Sequence, residues 1–239
     1  MNRTIARLTM RGLLSPRRLL LLSLIPLVLL AVAGLLRGLA SGLAIDESTT
    51  VLATLGIGTV LPLVALICGT GAIATEIDDG SVVYLLAKPI GRPTIILTKY
   101  VVAVFGAVLL AVIPITLAAL ILVGADKGVV LAFAVSALVG ALGYSALFLL
   151  LGVVTRHAVV VGLLYVLIWE SFVGGAVPGA QALSVQQWSL SVGEKVADDG
   201  LISAAVSLPV GASLLTAVAL FGLYFAVQRL RSLTLAGEQ

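Results

Sequence analysis

Apolar and polar positions in this chain do not alternate; they come in long blocks. Charge-free or nearly charge-free apolar runs cover Leu19 to Leu36, Val51 to Ala74, Val101 to Val123, Gly128 to Val154, Ala158 past Glu170 to Val177, and Leu201 to Val227. Each is about the length that a helix needs to cross the hydrocarbon core of a bilayer, roughly 20 residues. The pattern predicts an all-α, polytopic membrane protein forming a single transmembrane domain over 1–239. Its spans are 19–36, 51–74, 101–123, 128–154, 158–177 and 201–227. Around them lie an N-terminal segment (1–18), a cytoplasmic loop (76–94) and an outer segment (178–200). Pro26, Pro62, Pro114 and Pro209 fall inside the runs; neighbouring helices and Ser/Thr side chains absorb such kinks in a membrane bundle.

Composition strengthens this reading. Of 239 residues, 61% are hydrophobic and 10% charged, against about a quarter charged in a soluble domain, so a soluble fold is excluded. One cysteine (Cys68) and one histidine (His157) give no intrachain disulfide and no Cys/His zinc site, and no metal site is expected. The net charge of +3 is spread beside the apolar runs and forms no nucleic-acid-like patch, which points to the lipid bilayer as the partner of the basic residues.

The placement of Lys and Arg sets the orientation. With the N-terminus in the cytoplasm, the inside receives Arg3, Arg7, Arg11, Arg17, Arg18, Lys88, Arg92, Lys99, Arg156, Arg229 and Arg231, and the outside only Arg37, Lys127 and Lys195. Eleven against three is a strong positive-inside bias, and with six spans it leaves both termini cytoplasmic. The first run has the basic flank and the Ala31-Val32-Ala33 sequence of a secretory signal, but it continues to Leu36, so it is expected to be a retained span.

Two segments outside the spans carry information. In 1–18, Arg3, Arg7 and Arg11 recur every four residues and form one basic stripe on a helix, with Ile5, Leu8 and Leu13 elsewhere around the turn. Such a helix lies on the inner leaflet and ends near Pro16; the simpler reading is positive-inside charge alone. The loop after the second run opens with Glu76, Asp78 and Asp79-Gly80, continues through Val82, Val83, Leu85 and Leu86, and closes with Lys88-Pro89 and Arg92-Pro93. It is too short to span and too apolar to hang free in water. Read plainly, Asp79-Gly80 is a turn and Lys88 and Arg92 anchor a helix end. The apolar knob rimmed by charge instead marks an interaction site, and a docked protein partner is the better reading.

Here the residues carry a family resemblance. Glu76, Asp79-Gly80, then Tyr84-Leu85-Leu86-Ala87-Lys88-Pro89-Ile90 with Arg92 and Lys99 resembles the first cytoplasmic loop of ABC type-2 transporter permeases. Trp169-Glu170 and the later Leu183-Ser184-Val185 are similar to a Trp-Glu and Leu-Ser stretch in copper-processing and sodium-extrusion members. The resemblance implies the permease subunit of an exporter in a bacterial plasma membrane. It would pair with a second permease copy, as a homodimer or alternatively a heterodimer, and dock a separate nucleotide-binding ATPase that holds ATP and magnesium. Glu76, Asp79 and Gly80 would shape the start of a coupling helix, Val82, Val83, Leu85 and Leu86 would form its docking face, and Lys88, Pro89 and Arg92 would fix its exit. The chain contains no G-x-x-x-x-G-K-[ST] loop, so it binds no nucleotide that way and is not itself expected to be an enzyme.

Within the runs, Glu170 is the one acid, about twelve residues from the cytoplasmic end and hence roughly 18 Å deep. A carboxyl there calls for a partner or water, and a structural or gating role outweighs substrate contact. Gly34, Gly38 and Gly42 form a small-residue stripe suited to close helix packing, and Gly140, Gly143 and Gly152 read the same way. Residues 178–200 predict one or two short helices at the outer interface, with Trp188 at headgroup level. A membrane enzyme lacks a nucleophile and base here. An ion-coupled carrier or channel that uses no ATP remains the alternative; it would prefer several intramembrane ionisable groups. The scarcity of charge in the runs favours an apolar or amphipathic substrate.

Overall fold

The computed structural model describes residues 3–13, 16–39, 44–78, 80, 90–124, 127–173, 179–197 and 201–235. Among them all regular structure is helical. Helix α1 (Arg3–Leu13) is followed by α2 (Pro16–Leu39), α3 (Ile45–Gly71), the short α4 (Ala74–Asp78), α5 (Arg92–Val123) and α6 (Lys127–Val154). Then come α7, which runs as α-helix over Ala158–Leu164 and as π-helix over Tyr165–Val173, a 3₁₀ turn at Ala180–Leu183, α8 (Val185–Glu194) and α9 (Leu208–Leu235).

Five stretches are long and apolar enough to cross a membrane: Leu22–Leu39, Ile45–Gly71, Arg92–Val123, Gly128–Val154 and Leu208–Ser232. The chain is thus an all-helical protein of the multi-pass membrane kind. The fifth predicted span, 158–177, is the exception to the six-span reading, because its described apolar helix (Ala158–Glu170) is shorter, and residues 174–178 lie outside the described residues.

Several helix ends differ from the edges of the apolar runs, for reasons local to each. α9 begins at Leu208 and not at Leu201, which puts Pro209 in the first turn, where its missing N–H costs nothing. α5 begins at Arg92 with Pro93 in its first turn, well ahead of the apolar run at Val101, and so carries Lys99 within the helix. α3 starts at Ile45, before Val51.

Pro62 and Pro114 each follow a π segment, Leu52–Val60 in α3 and Val108–Val112 in α5. Immediately before each proline the N–H of Leu61 reaches Gly56 and that of Ile113 reaches Val108, both five residues back. The wider turn gives the proline ring room where an α-helical carbonyl would clash.

The centre of the bundle is α6, against which α3, α5, α8 and α9 all pack. Glycines set how closely they approach: a Cβ at Gly140 would stand 2.7 Å from a Leu61 methyl group, and one at Gly152 would stand 3.1 Å from Ile73. On the periphery, Leu20, Leu24, Leu27, Val28 and Leu35 of α2 and Leu220, Phe221, Tyr224 and Phe225 of α9 face outward, as a lipid-facing surface would. α2 is tied to the end of α5 by Arg37, whose guanidinium donates to the Leu122 carbonyl at 3.3 Å, one of the last carbonyls of that helix and otherwise without a helical partner.

The N-terminal segment does form a helix, but its inward face is used by the protein. Ile5, Ala6, Thr9 and Leu13 are buried against α5 and α3, while Arg7 and Arg11 are exposed; the Arg3 side chain lies outside the described residues. A Cβ at Gly34 or Gly38 would meet nothing within 4 Å, so among the described residues these two positions of the predicted small-residue stripe pack against no other helix; Gly42 lies outside the described residues.

The outer segment departs most from expectation. α8 is wedged into the bundle between α6 and α9, with Trp188 only 5% exposed and its indole N–H donating to the Ala182 carbonyl at 2.7 Å. Trp188 therefore serves the protein interior and not a headgroup layer. Val185, Ser189 and Gly193, spaced by four, lie against Gly143, Gly140 and the Ser136–Ala132 turn of α6 in that order; a Cβ at Gly193 would overlap Ser136 Oγ and sit 2.9 Å from the Ala132 carbonyl oxygen. Gly193→Ala should lower stability by about 1–3 kcal/mol through overpacking, whereas Gly34→Ala should be neutral or stabilise by up to about 1 kcal/mol through helix propensity. Thermal unfolding in detergent, followed by helical circular dichroism, checks the pair.

Candidate functional site

Two polar constellations interrupt the apolar bundle, one at each end. The first is built on Glu170. The π segment of α7 brings Tyr165 and Glu170, five residues apart, onto one face, and the Tyr165 hydroxyl donates to Glu170 Oε1 at 3.0 Å. From the other side comes the N-terminus of α8. Ser184 is its N-cap, accepting from the Gln187 N–H at 3.4 Å. The Ser184 hydroxyl also donates to Glu170 Oε2, and the Val185 N–H donates to Oε1 at 3.1 Å. Next to it the Trp169 indole N–H donates to the Leu183 carbonyl at 3.3 Å.

Glu170 is only 3% exposed, and every hydrogen bond it makes here is one it accepts. Three donors and the positive end of α8 suit a carboxylate and leave it little to offer a passing substrate. Aromatic rings support the arrangement from behind: Phe148 stacks on Tyr144 with centroids 5.8 Å apart and meets Tyr165 edge-on at 6.2 Å. The Tyr144 hydroxyl is buried near Glu170 and makes no hydrogen bond of regular geometry among the described residues.

A second polar contact joins α8 to the π segment of α3. The Gln186 amide donates to the Ala53 carbonyl at 3.0 Å, and Gly58 makes room for it, since a Cβ there would lie 2.8 Å from the Gln186 amide nitrogen. On the far side, Gln187 accepts from the Ala205 N–H at 3.0 Å.

The other constellation stands where α3 ends and α5 begins. Lys99, with no exposed surface, places its ammonium 2.6 Å from Glu76 Oε1 and donates to the Ala72 carbonyl at 2.6 Å. Ala72 is the C-cap of α3, so one cation answers a helix end and an acid together. Glu76 keeps a partly exposed face. The chain then leaves α4 through Gly80, whose φ of +69° is a left-handed conformation that ends helices at low cost only for glycine.

Of the residues proposed for partner docking, Glu76 thus points to Lys99, Gly80 makes the turn, and Arg92 opens α5. Asp79, Val82, Val83, Leu85, Leu86, Lys88 and Pro89 lie outside the described residues. Sequence reasoning assigned no site role to Lys99, Ser184, Tyr165 or Gln186. Lys99 carried a signal, as a cation just ahead of an apolar run with an acid bordering the run before it. Gln186 carried none, because its partner is a backbone carbonyl 133 positions away.

The fold and these two sites define a multi-pass helical membrane protein braced by polar contacts at both ends of its bundle. No family model matches the chain, and no curated protein matches it either.

Proposed function

We propose that this chain is the permease subunit of an ATP-driven exporter of the ABC type-2 kind, with six spans and both termini in the cytoplasm of a bacterium. Two copies would form the pathway, as a homodimer, and a separate ATPase carrying ATP and magnesium would dock on the 76–94 loop. The cargo would be apolar or amphipathic. The observation that carries this reading is that two stretches of the family resemblance, 14 to 15 positions apart, meet side by side: Trp169 bonds Leu183, and Glu170 bonds Ser184 and Val185. A second support is the Glu76–Lys99 pair, which ties the start of the loop to α5, while the same Lys99 bonds the end of α3 at Ala72, and so would transmit a push on the loop to α3 and α5.

An ion-coupled carrier would need an intramembrane group free to exchange its ligand. The oxygens of Glu170 already accept from Ser184, Val185 and Tyr165, which weighs toward the permease.

The test is co-expression of the full chain with a nucleotide-binding ATPase subunit sought among the genes that neighbour its own. A stable complex with coupled ATP hydrolysis is expected, and Leu85→Asp with Leu86→Asp should abolish co-purification, because two desolvated aliphatic contacts would become buried charges. Unchanged assembly and coupling in that double variant would overturn the docking assignment.

A further inference from the structure

α8 is attached to its surroundings in two different ways. Toward α6 and α9 the contact is close and built on small residues: Gly193 lies against Ser136 and Ala132, Gly140 against Ser189, and a Cβ at Gly211 of α9 would stand 3.1 Å from the Trp188 carbonyl oxygen. Helices packed at backbone distance move as one body, because small lateral shifts meet steep repulsion. Toward α3 and α7 the contact is thin and polar: Gln186 on the Ala53 carbonyl, and Ser184 with Val185 on Glu170. Those two partners sit in π segments that touch each other, and π segments are helical stretches able to shift hydrogen-bond register.

The seam between these two bodies already contains space. A cavity of about 260 Å³, lined by Asp46, Thr49, Thr50, Ala53, Phe133 and Ile202, runs along α3 to the residue whose carbonyl Gln186 holds. It lies between α3 on one side and α6 and the approach to α9 on the other.

We propose that α8 is a gate that rides with α6 and α9 and parts from the π segments of α3 and α7, Leu52–Val60 and Tyr165–Val173, by releasing two polar latches, Gln186 on Ala53 and the start of α8 on Glu170. Its placement on the outer side rests on the permease reading; the seam itself does not. Gln186 and Gly58 are then positioning residues, which set how readily the seam opens without touching cargo.

Hydrogen–deuterium exchange on the full chain in lipid nanodiscs tests this with no ATPase or substrate present. Gln186→Ala removes one latch. Gly58→Ala reaches the same end by displacing the Gln186 amide while adding helix propensity, so it guards against a variant that merely folds poorly. Both should speed exchange roughly fivefold, the fold-change carried by one lost hydrogen bond, in Leu52–Val60 and, through the shared seam, in Tyr165–Val173. Exchange in Val185–Glu194 should stay as in the unaltered chain. A change confined to Leu52–Val60 would mark a local bond and overturn the seam, no change in either π segment would overturn the latch, and faster exchange in α8 as well would overturn its union with α6 and α9. Failure of the permease reading would show elsewhere, as the absence of an ATPase complex, with this exchange pattern intact.

Discussion

Glu170→Ala should destabilise the protein by about 3 kcal/mol, and Glu170→Gln by only about 1 kcal/mol. The difference follows from which oxygen accepts which bond. Tyr165 and Val185 both donate to Oε1, while Ser184 donates to Oε2. A glutamine that puts its carbonyl oxygen in the Oε1 position keeps the first two bonds, and its NH2 group, in the Oε2 position, can donate to Ser184 Oγ in reversed polarity. What is lost is the charge facing the N-terminus of α8, which is worth about 0.3–1 kcal/mol. Alanine removes all three bonds and leaves a buried backbone N–H and a buried hydroxyl unpaired, at about 1 kcal/mol or more for each bond. Unfolding in detergent, followed by helical circular dichroism, measures both. Equal losses in the two variants would mean that the charge matters and the hydrogen bonds do not.

Five of the six predicted apolar runs are readable as long helices, in order, because charge is so expensive in a bilayer that a helix fit to cross it is written as an uninterrupted run. α2, α3, α5, α6 and α9 follow directly from that rule, as does α1 from its spacing of arginines. Helix ends were less legible. Pro93 and Pro209 start helices, yet an apolar run has no edge at either residue. The position of α8 was hidden for a different reason. Its polar residues Ser184, Gln186, Ser189 and Ser191 look like a surface helix, but here they bond backbone carbonyls and a carboxylate or pack where only a small side chain fits. Small polar residues lining a helix carry one meaning in water and the reverse in a membrane bundle. The π segments left a trace only in hindsight, in Pro62 and Pro114, since a proline shows that a helix is disturbed and not how the disturbance is absorbed.

The pair at the other end of the bundle should show a pronounced asymmetry: Glu76→Ala costs about 3–5 kcal/mol, Lys99→Met about 1–2 kcal/mol. Lys99 has no exposed surface, whereas 29% of the Glu76 side chain is open. Removing Glu76 strands an ammonium whose other acceptor is the Ala72 carbonyl at 2.6 Å, and a buried charge without its counter-ion is the costly half of a broken pair. Removing Lys99 leaves a carboxylate that already has an open side toward water, and methionine fills the vacated channel with a flexible apolar chain of similar length. The double variant Glu76→Gln with Lys99→Met carries neither charge and should fall within about 1 kcal/mol of the unaltered protein, because the cost of burying the ammonium goes with it, the new amide keeps its open side in water, and what is lost is one bond to the Ala72 carbonyl. Its stability in detergent would then match the parent. Any function it lost would belong to the mechanical link between α3, the loop that follows it and α5, and not to the folding of the bundle.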